Sequence, residues 1–147
     1  MEQRTSTYEV MFLITQAVAA DFAGAIEHIN HLLSRAGAET LAMCKWDERR
    51  LAYEINKQRR GVYILAYIKA PHQSIQGLQR DCNLSEKILR VLITGADHLS
   101  REEVASFDGR DKMLAEARLR AERPQPSEYA GAGVAEDSAP AENPEMN

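Results

Sequence analysis

Cysteine, tryptophan and long apolar runs are scarce in this 147-residue chain. Its two cysteines, Cys44 and Cys82, lie far apart and form no CxxC pair. That excludes a disulfide framework and fits a reducing compartment, where both thiols serve as small buried hydrophobes. No stretch reaches the roughly 18 apolar residues of a membrane span. A polar run at 1–7 followed by a short apolar run at 8–14 is no secretory signal, so the cytoplasm is the expected location. The phosphate loop GxxxxGK[ST], the dinucleotide GxGxxG and the nucleophile GxSxG are all missing. His28 and His31 share a helical spacing but have no third ligand, and read as solvated side chains. Asp47 and Glu48 are adjacent, so on a strand they point apart and cannot act as a carboxylate pair. Neither an enzyme, a metal nor a cofactor is expected.

Charge is present but unevenly placed. The whole chain has 22 acids and 18 bases, a net of −4. Residues 124–147 hold five of those acids and no base, while residues 1–97 are near balance. Within the front, residues 45–60 carry six bases against three acids. Local fields of this kind steer partners, whereas whole-chain charge mostly tunes solubility.

Apolar spacing sets the elements. Tyr8, Val10, Phe12 and Ile14 alternate on one face of a strand, with Glu9, Met11 and Leu13 on the other. Phe22, Ile26, Ile29 and Leu33 mark a helix over 21–36, with Asp21 at its start and Gly37 after its end. Extended segments follow at 39–46 and 51–55, interrupted by charged residues 47–50. A polar turn at 56–61, with Gly61 available for an unusual φ, leads into the seven apolar residues 62–68. Pro71 suits the first turn of a second helix carrying Ile75, Leu78 and Cys82, and residues 88–94 form the last strand. Strand, helix, strand, strand, helix, strand is the α+β split βαβ, or ferredoxin-like, pattern. It has a four-stranded antiparallel sheet with both helices on one face. The division is then a domain at 1–97, a charged helical extension at 98–123, and an acidic tail at 124–147. The extension opens with a capping box at Ser100 and Glu103. The tail has too little apolar surface to order itself.

Two surfaces stand out. The sheet face turned away from the helices presents Met11, Leu13, Tyr63, Leu65 and Tyr67, an apolar patch of the kind that marks a binding surface. The plain alternative is that the C-terminal helix folds back over it. Beside it, Lys45, Arg49, Arg50, Lys57, Arg59 and Arg60 form a basic rim suited to phosphate, unless they are an ordinary solvated hairpin. Trp46 beside them either stacks on a partner or caps the core, and the core reading is the expected one. The stretch RGVYILAY at 60–67 approaches the RNP1 pattern of RNA-recognition domains but has Val62 and Ile64 where that pattern has aromatics.

Four segments carry a resemblance: TYEVM at 7–11, WDERRLAYEINKQRRGVY at 46–63, AP at 70–71 and ILRVLI at 88–93. Together they resemble the bacterial small-subunit ribosomal protein S-six family. The resemblance implies a ferredoxin-like fold without catalysis. It also implies binding to the central domain of small-subunit ribosomal RNA beside ribosomal protein S-eighteen. By position it adds Arg90 to the basic residues Arg49, Arg50 and Lys57. The sequence departs from the family pattern at Asp47, where glycine is usual, at Ser6 and Thr7, where an arginine is common, and at Gly95, where a base is frequent. Two other functions suit the same fold. One is a regulatory module that binds a small ligand as a homo-oligomer. The other is a small phosphohydrolase, which needs a Gly-rich loop with an arginine after the first strand; residues 15–20 have neither.

Overall fold

A computed structural model describes residues 4–55 and 57–122. The acidic tail expected at 124–147 lies outside the described residues. The elements run β1 (Thr5–Thr15), α1 (Gln16–Ala20), α2 (Phe22–Arg35), β2 (Glu39–Ile55), β3 (Gln58–Pro71), α3 (Ile75–Leu84), β4 (Arg90–Gly95), α4 (Arg101–Ser106) and α5 (Arg110–Glu122). The sheet has the order β2–β3–β1–β4, and each neighbouring pair is antiparallel. This is the ferredoxin-like arrangement that the periodicity predicts.

Local chemistry sets the helix ends. The Thr15 side chain accepts from the Val18 N–H at 3.0 Å and caps α1, a turn that sequence spacing did not suggest. Asp21 accepts from the Gly24 N–H at 3.2 Å and caps α2. Gly37, at φ 68°, closes α2: its N–H reaches Ser34 O at 3.0 Å, and the Ala38 N–H reaches Leu33 O at 3.0 Å. Pro71 ends β3 instead of opening a helix, and a 3-10 turn at His72–Ser74 leads into α3.

The two extended segments expected around residues 47–50 are one strand. Charge does not break it because β2 lies at the sheet edge, and Arg49 and Arg50 still pair with Gly61 and Arg60 of β3. Nor does Gly61 supply the turn. The positive φ falls on Lys57, at 67°, while Gly61 is buried within β3. A Cβ at Gly61 would sit 2.5 Å from Leu13 Cδ1 and 3.3 Å from both Ile14 O and Leu51 Cδ2. The missing side chain lets Leu13 lean across β3 toward Leu51. Gly61→Ala is therefore expected to destabilise the protein by about 1–2 kcal/mol through overpacking. A chemical-denaturation midpoint no lower than that of the parent would contradict this.

The main core lies between the sheet and its helices. Val10, Phe12, Ile14, Met43, Val62, Ile64 and Ile68 of the sheet meet Phe22, Ile29, Leu33, Leu78 and Cys82 of α2 and α3. Met113 and Ala117 of α5 join this same core. Val104 of α4 instead packs on the opposite sheet face with Ala42, Leu65, Tyr67 and Ala96. Between the two helices the chain passes the free edge of β2. There the Gly109 N–H donates to Met43 O at 2.8 Å, and Asp108 Oδ1 accepts from the Met43 N–H at 3.2 Å. Residues 98–122 thus wrap the β2 edge and satisfy part of its exposed backbone.

Candidate functional site

The open sheet face is divided three ways. At one end α4 covers Leu65 and Tyr67, each only 3% exposed, with the Phe107 ring 5.3 Å from Tyr67. Tyr67 donates its hydroxyl to Glu9 Oε2 at 3.0 Å; burial, then Glu9, pushes its phenol up to about 12. At the other end Leu13 is buried against Leu51, Ile55, Tyr63 and Leu89. The structure thereby corrects the expectation of a wholly bare face. Leu13, Leu65 and Tyr67 face away from the main core as the alternation predicts, but they are covered by the hairpin and by α4. What stays accessible is the middle: Met11 and Tyr63, both half-buried, with Leu92, which pairs with Met11 and is 64% exposed.

The basic rim is divided as well. Arg49, Arg50, Lys57, Arg59, Arg60 and Arg90 are exposed. Arg59 lies 3.5 Å from Glu54 and Arg49 lies 3.5 Å from Asp47. Arg50, Lys57, Arg60 and Arg90 form no ion pair among the described residues. Lys45 does not belong to this rim. It pairs with Ile64 on the helix side, and its Nζ donates to Glu116 at 3.0 Å and Glu48 at 3.4 Å. Arg120 completes that cluster, reaching Glu48 at 2.8 Å and Glu116 at 2.7 Å, with its guanidinium 5.3 Å from the Phe22 ring. Burial works against the Glu48 carboxylate, but Arg120 and then Lys45 outweigh it and hold the pKa below its usual range.

One irregularity produces both arrangements. Lys45 opposes Ile64 and Asp47 opposes Tyr63, so β2 carries one extra residue at Trp46. Strict alternation from Ala42 would send Glu48 to the open face and Arg49 to the core. The bulge reverses this, turning Glu48 toward α5 and Arg49 outward. Trp46 is 48% exposed and does not cap the core as expected. It meets Tyr63 edge-on at 5.8 Å, and the Arg49 guanidinium lies 5.1 Å from the Trp46 centroid and 5.4 Å from that of Tyr63. Asp47, on this bulge, binds the Glu48 N–H at 2.8 Å. His28 also differs from expectation. It shares a 2.6 Å hydrogen bond with Ser85, and burial, then Lys87 and His31, lower its pKa. Among the described residues no group of three or more His, Cys, Asp or Glu could hold a metal ion, and no helix is long and apolar enough to cross a membrane.

The fold and this surface define a ferredoxin-like α+β protein with a projecting cationic hairpin and a partly open, aromatic-lined sheet face. The family model for ribosomal protein S6 matches residues 7–94. The small ribosomal subunit protein bS6 of Campylobacter lari is 31% identical over 108 residues, covering 73% of this chain and 86% of that protein. The bS6 protein of Halalkalibacterium halodurans is 39% identical over 88 residues, covering 59% of this chain and 93% of that protein. The chain belongs to the ribosomal protein S6 family. The crystal structure of 30S ribosomal protein S6 from Thermotoga maritima shares the fold, with a TM-score of 0.57 and 20% identity over 82% of this chain and all of the other.

Proposed function

We propose that this chain is a structural component of the small ribosomal subunit. It binds the central domain of small-subunit ribosomal RNA through the β2–β3 hairpin. It does so beside ribosomal protein S-eighteen, which takes the open middle of the sheet face at Met11, Tyr63 and Leu92. Family membership supports the assembly, and the hairpin supports the RNA contact. Arg50, Lys57 and Arg60 are exposed around its tip and form no ion pair among the described residues, and Arg90 stands exposed on β4. Cations in that state release condensed counterions when they meet phosphate, so binding must weaken with salt.

With four such contacts, log K for protein-free small-subunit ribosomal RNA should fall against log salt with a slope of roughly −3. Replacing both Arg50 and Arg60 with alanine should lower that slope by about 1–2 and weaken binding, with the fold intact by circular dichroism. Lys45→Ala should leave RNA affinity unchanged and reduce stability instead, because Lys45 is engaged with α5. A flat salt response in the parent protein would sink the reading.

A further inference from the structure

Two like charges face each other on the helix side of the β2–β3 hairpin. Arg50 and Arg60 are opposed across the ladder, and both are exposed. They share the face of Glu48 and Val62, which lie two residues away along each strand. Like charges placed directly opposite repel, and neither arginine forms an ion pair among the described residues. Glu48, which precedes Arg50 on that face, is already taken by Lys45 and Arg120.

The chain itself carries anions toward this place. α5 starts beside Met43, where the Gly109 N–H donates to Met43 O, and its last turn reaches Glu48 through Arg120 at 2.8 Å. It therefore runs alongside β2 toward the hairpin and ends at Glu122. Arg50 lies two strand residues past Glu48, roughly 7 Å further on. Beyond α5 the sequence holds Glu128, Glu136, Asp137, Glu142 and Glu145, and from residue 124 on it holds no base. A chain covers up to about 3.5 Å per residue, so the stretch from Glu122 to Glu128 can reach roughly 20 Å, enough for the step from Glu48 to Arg50. Tethering also gives such acids a high effective concentration at the arginines. We propose that the acidic tail docks on Arg50 and Arg60 in the free chain and must leave before RNA phosphate takes them. Arg90 is outside this site, because it stands on β4 at the other edge of the sheet. The proposal rests on the RNA-binding reading above and adds the regulation of that site.

The test compares the full-length parent with a full-length variant carrying Glu128→Gln, Glu136→Gln, Asp137→Asn, Glu142→Gln and Glu145→Gln. Without RNA and at low salt, neutralising the tail should shift the arginine Nε–H signals of Arg50 and Arg60 in nuclear magnetic resonance spectra and leave that of Arg90 in place. Added salt should move the parent's signals to the variant's positions. In filter retention with protein-free small-subunit ribosomal RNA, the variant should bind about fourfold tighter at low salt, with the gap closing as salt rises. Removing five negative charges helps RNA binding even without docking, so the same comparison is made in an Arg50→Ala, Arg60→Ala background. There the gain should fall to about twofold at most. An equal gain in both backgrounds, or Arg50 and Arg60 signals that ignore neutralisation, overturns the docking while the RNA reading stands on its salt slope. Signals that change with protein concentration put the tail of a second copy there and overturn it as well. If Arg50 and Arg60 shift but neither protein binds RNA, the RNA reading fails and the competition fails with it.

Discussion

Val104→Asp should detach α4 from the sheet and bring the Tyr67 phenol down from about 12 toward its ordinary value near 10. Val104 is 5% exposed and contacts an apolar cluster containing Leu65, Tyr67, Ala42 and Ala96. Its contacts in that cluster are apolar, so an aspartate there must be desolvated, turn away toward Lys69 and Arg101 in the neighbouring cleft, or expel the helix, and each course breaks the packing. Expulsion is the cheaper course, because α4 has only six residues and its capping box holds the helix together, not the helix to the sheet. The expected loss is about 2–4 kcal/mol, with increased binding of a hydrophobic dye as Leu65 and Tyr67 become exposed. Ultraviolet titration of tyrosine separates this from general loosening. In the parent, a raised Tyr67 pKa means that its stabilising contribution is complete below about pH 10 and is lost as pH rises toward 12. In the variant that decline should be smaller. An unchanged tyrosine titration would show that α4 does not cover the face in solution.

The apolar spacing is enough to identify the ferredoxin-like element pattern and the two faces of its sheet. Val10, Phe12 and Ile14 are fully buried, and α2 carries the stripe its spacing predicts. What could not be read were features set by an offset of one residue or by contacts distant in sequence. The extra residue at Trp46 reverses the direction of the side chains that follow it up to Arg50, so Glu48 and Arg49 exchange faces relative to simple alternation. Asp47, at a place where the family resemblance implies glycine, stands at this bulge and was the available hint. Gly61 looked like a turn residue because glycine often is one. Its role is steric, and only the approach of Leu13 and Leu51 reveals it. The extension was legible as helical, with its capping box, but its path was not. α5 shows no strong apolar stripe because it docks by two small contacts, Met113 and Ala117, and by charge. In sequence Lys45 reads with the RNA-binding cations because its partner Glu116 lies far along the chain, as does Arg120, which shares Glu48 and Glu116 with it.

That charged cluster gives the other large expected effect. Arg120→Ala should cost about 2 kcal/mol at pH 7, because it leaves Glu48 and Glu116 facing each other with only Lys45 between them. The figure is set below that of a fully buried pair because all the side chains involved keep some contact with water. Part of the loss is packing, since the Arg120 side chain lies over Phe22 and also donates to Ala19 O at 3.3 Å. Arg120→Met restores the apolar part without the charge and should recover some stability but not all of it. The pH dependence isolates the electrostatic share. The Glu48 pKa is lowered in the folded protein, so its stabilising contribution is present above the ordinary glutamate pKa and is lost as pH falls through the lowered value. The stability gap between parent and Arg120→Met should therefore narrow as pH falls below about 4, near the ordinary glutamate pKa. A gap that stays constant from pH 7 to pH 3 in denaturant titrations would mean that α5 is held by packing alone. The same cluster draws Lys45 and Glu48 to the helix side. Arg120→Met should for this reason leave the salt slope of RNA binding close to that of the parent, since the hairpin cations that meet phosphate do not depend on it.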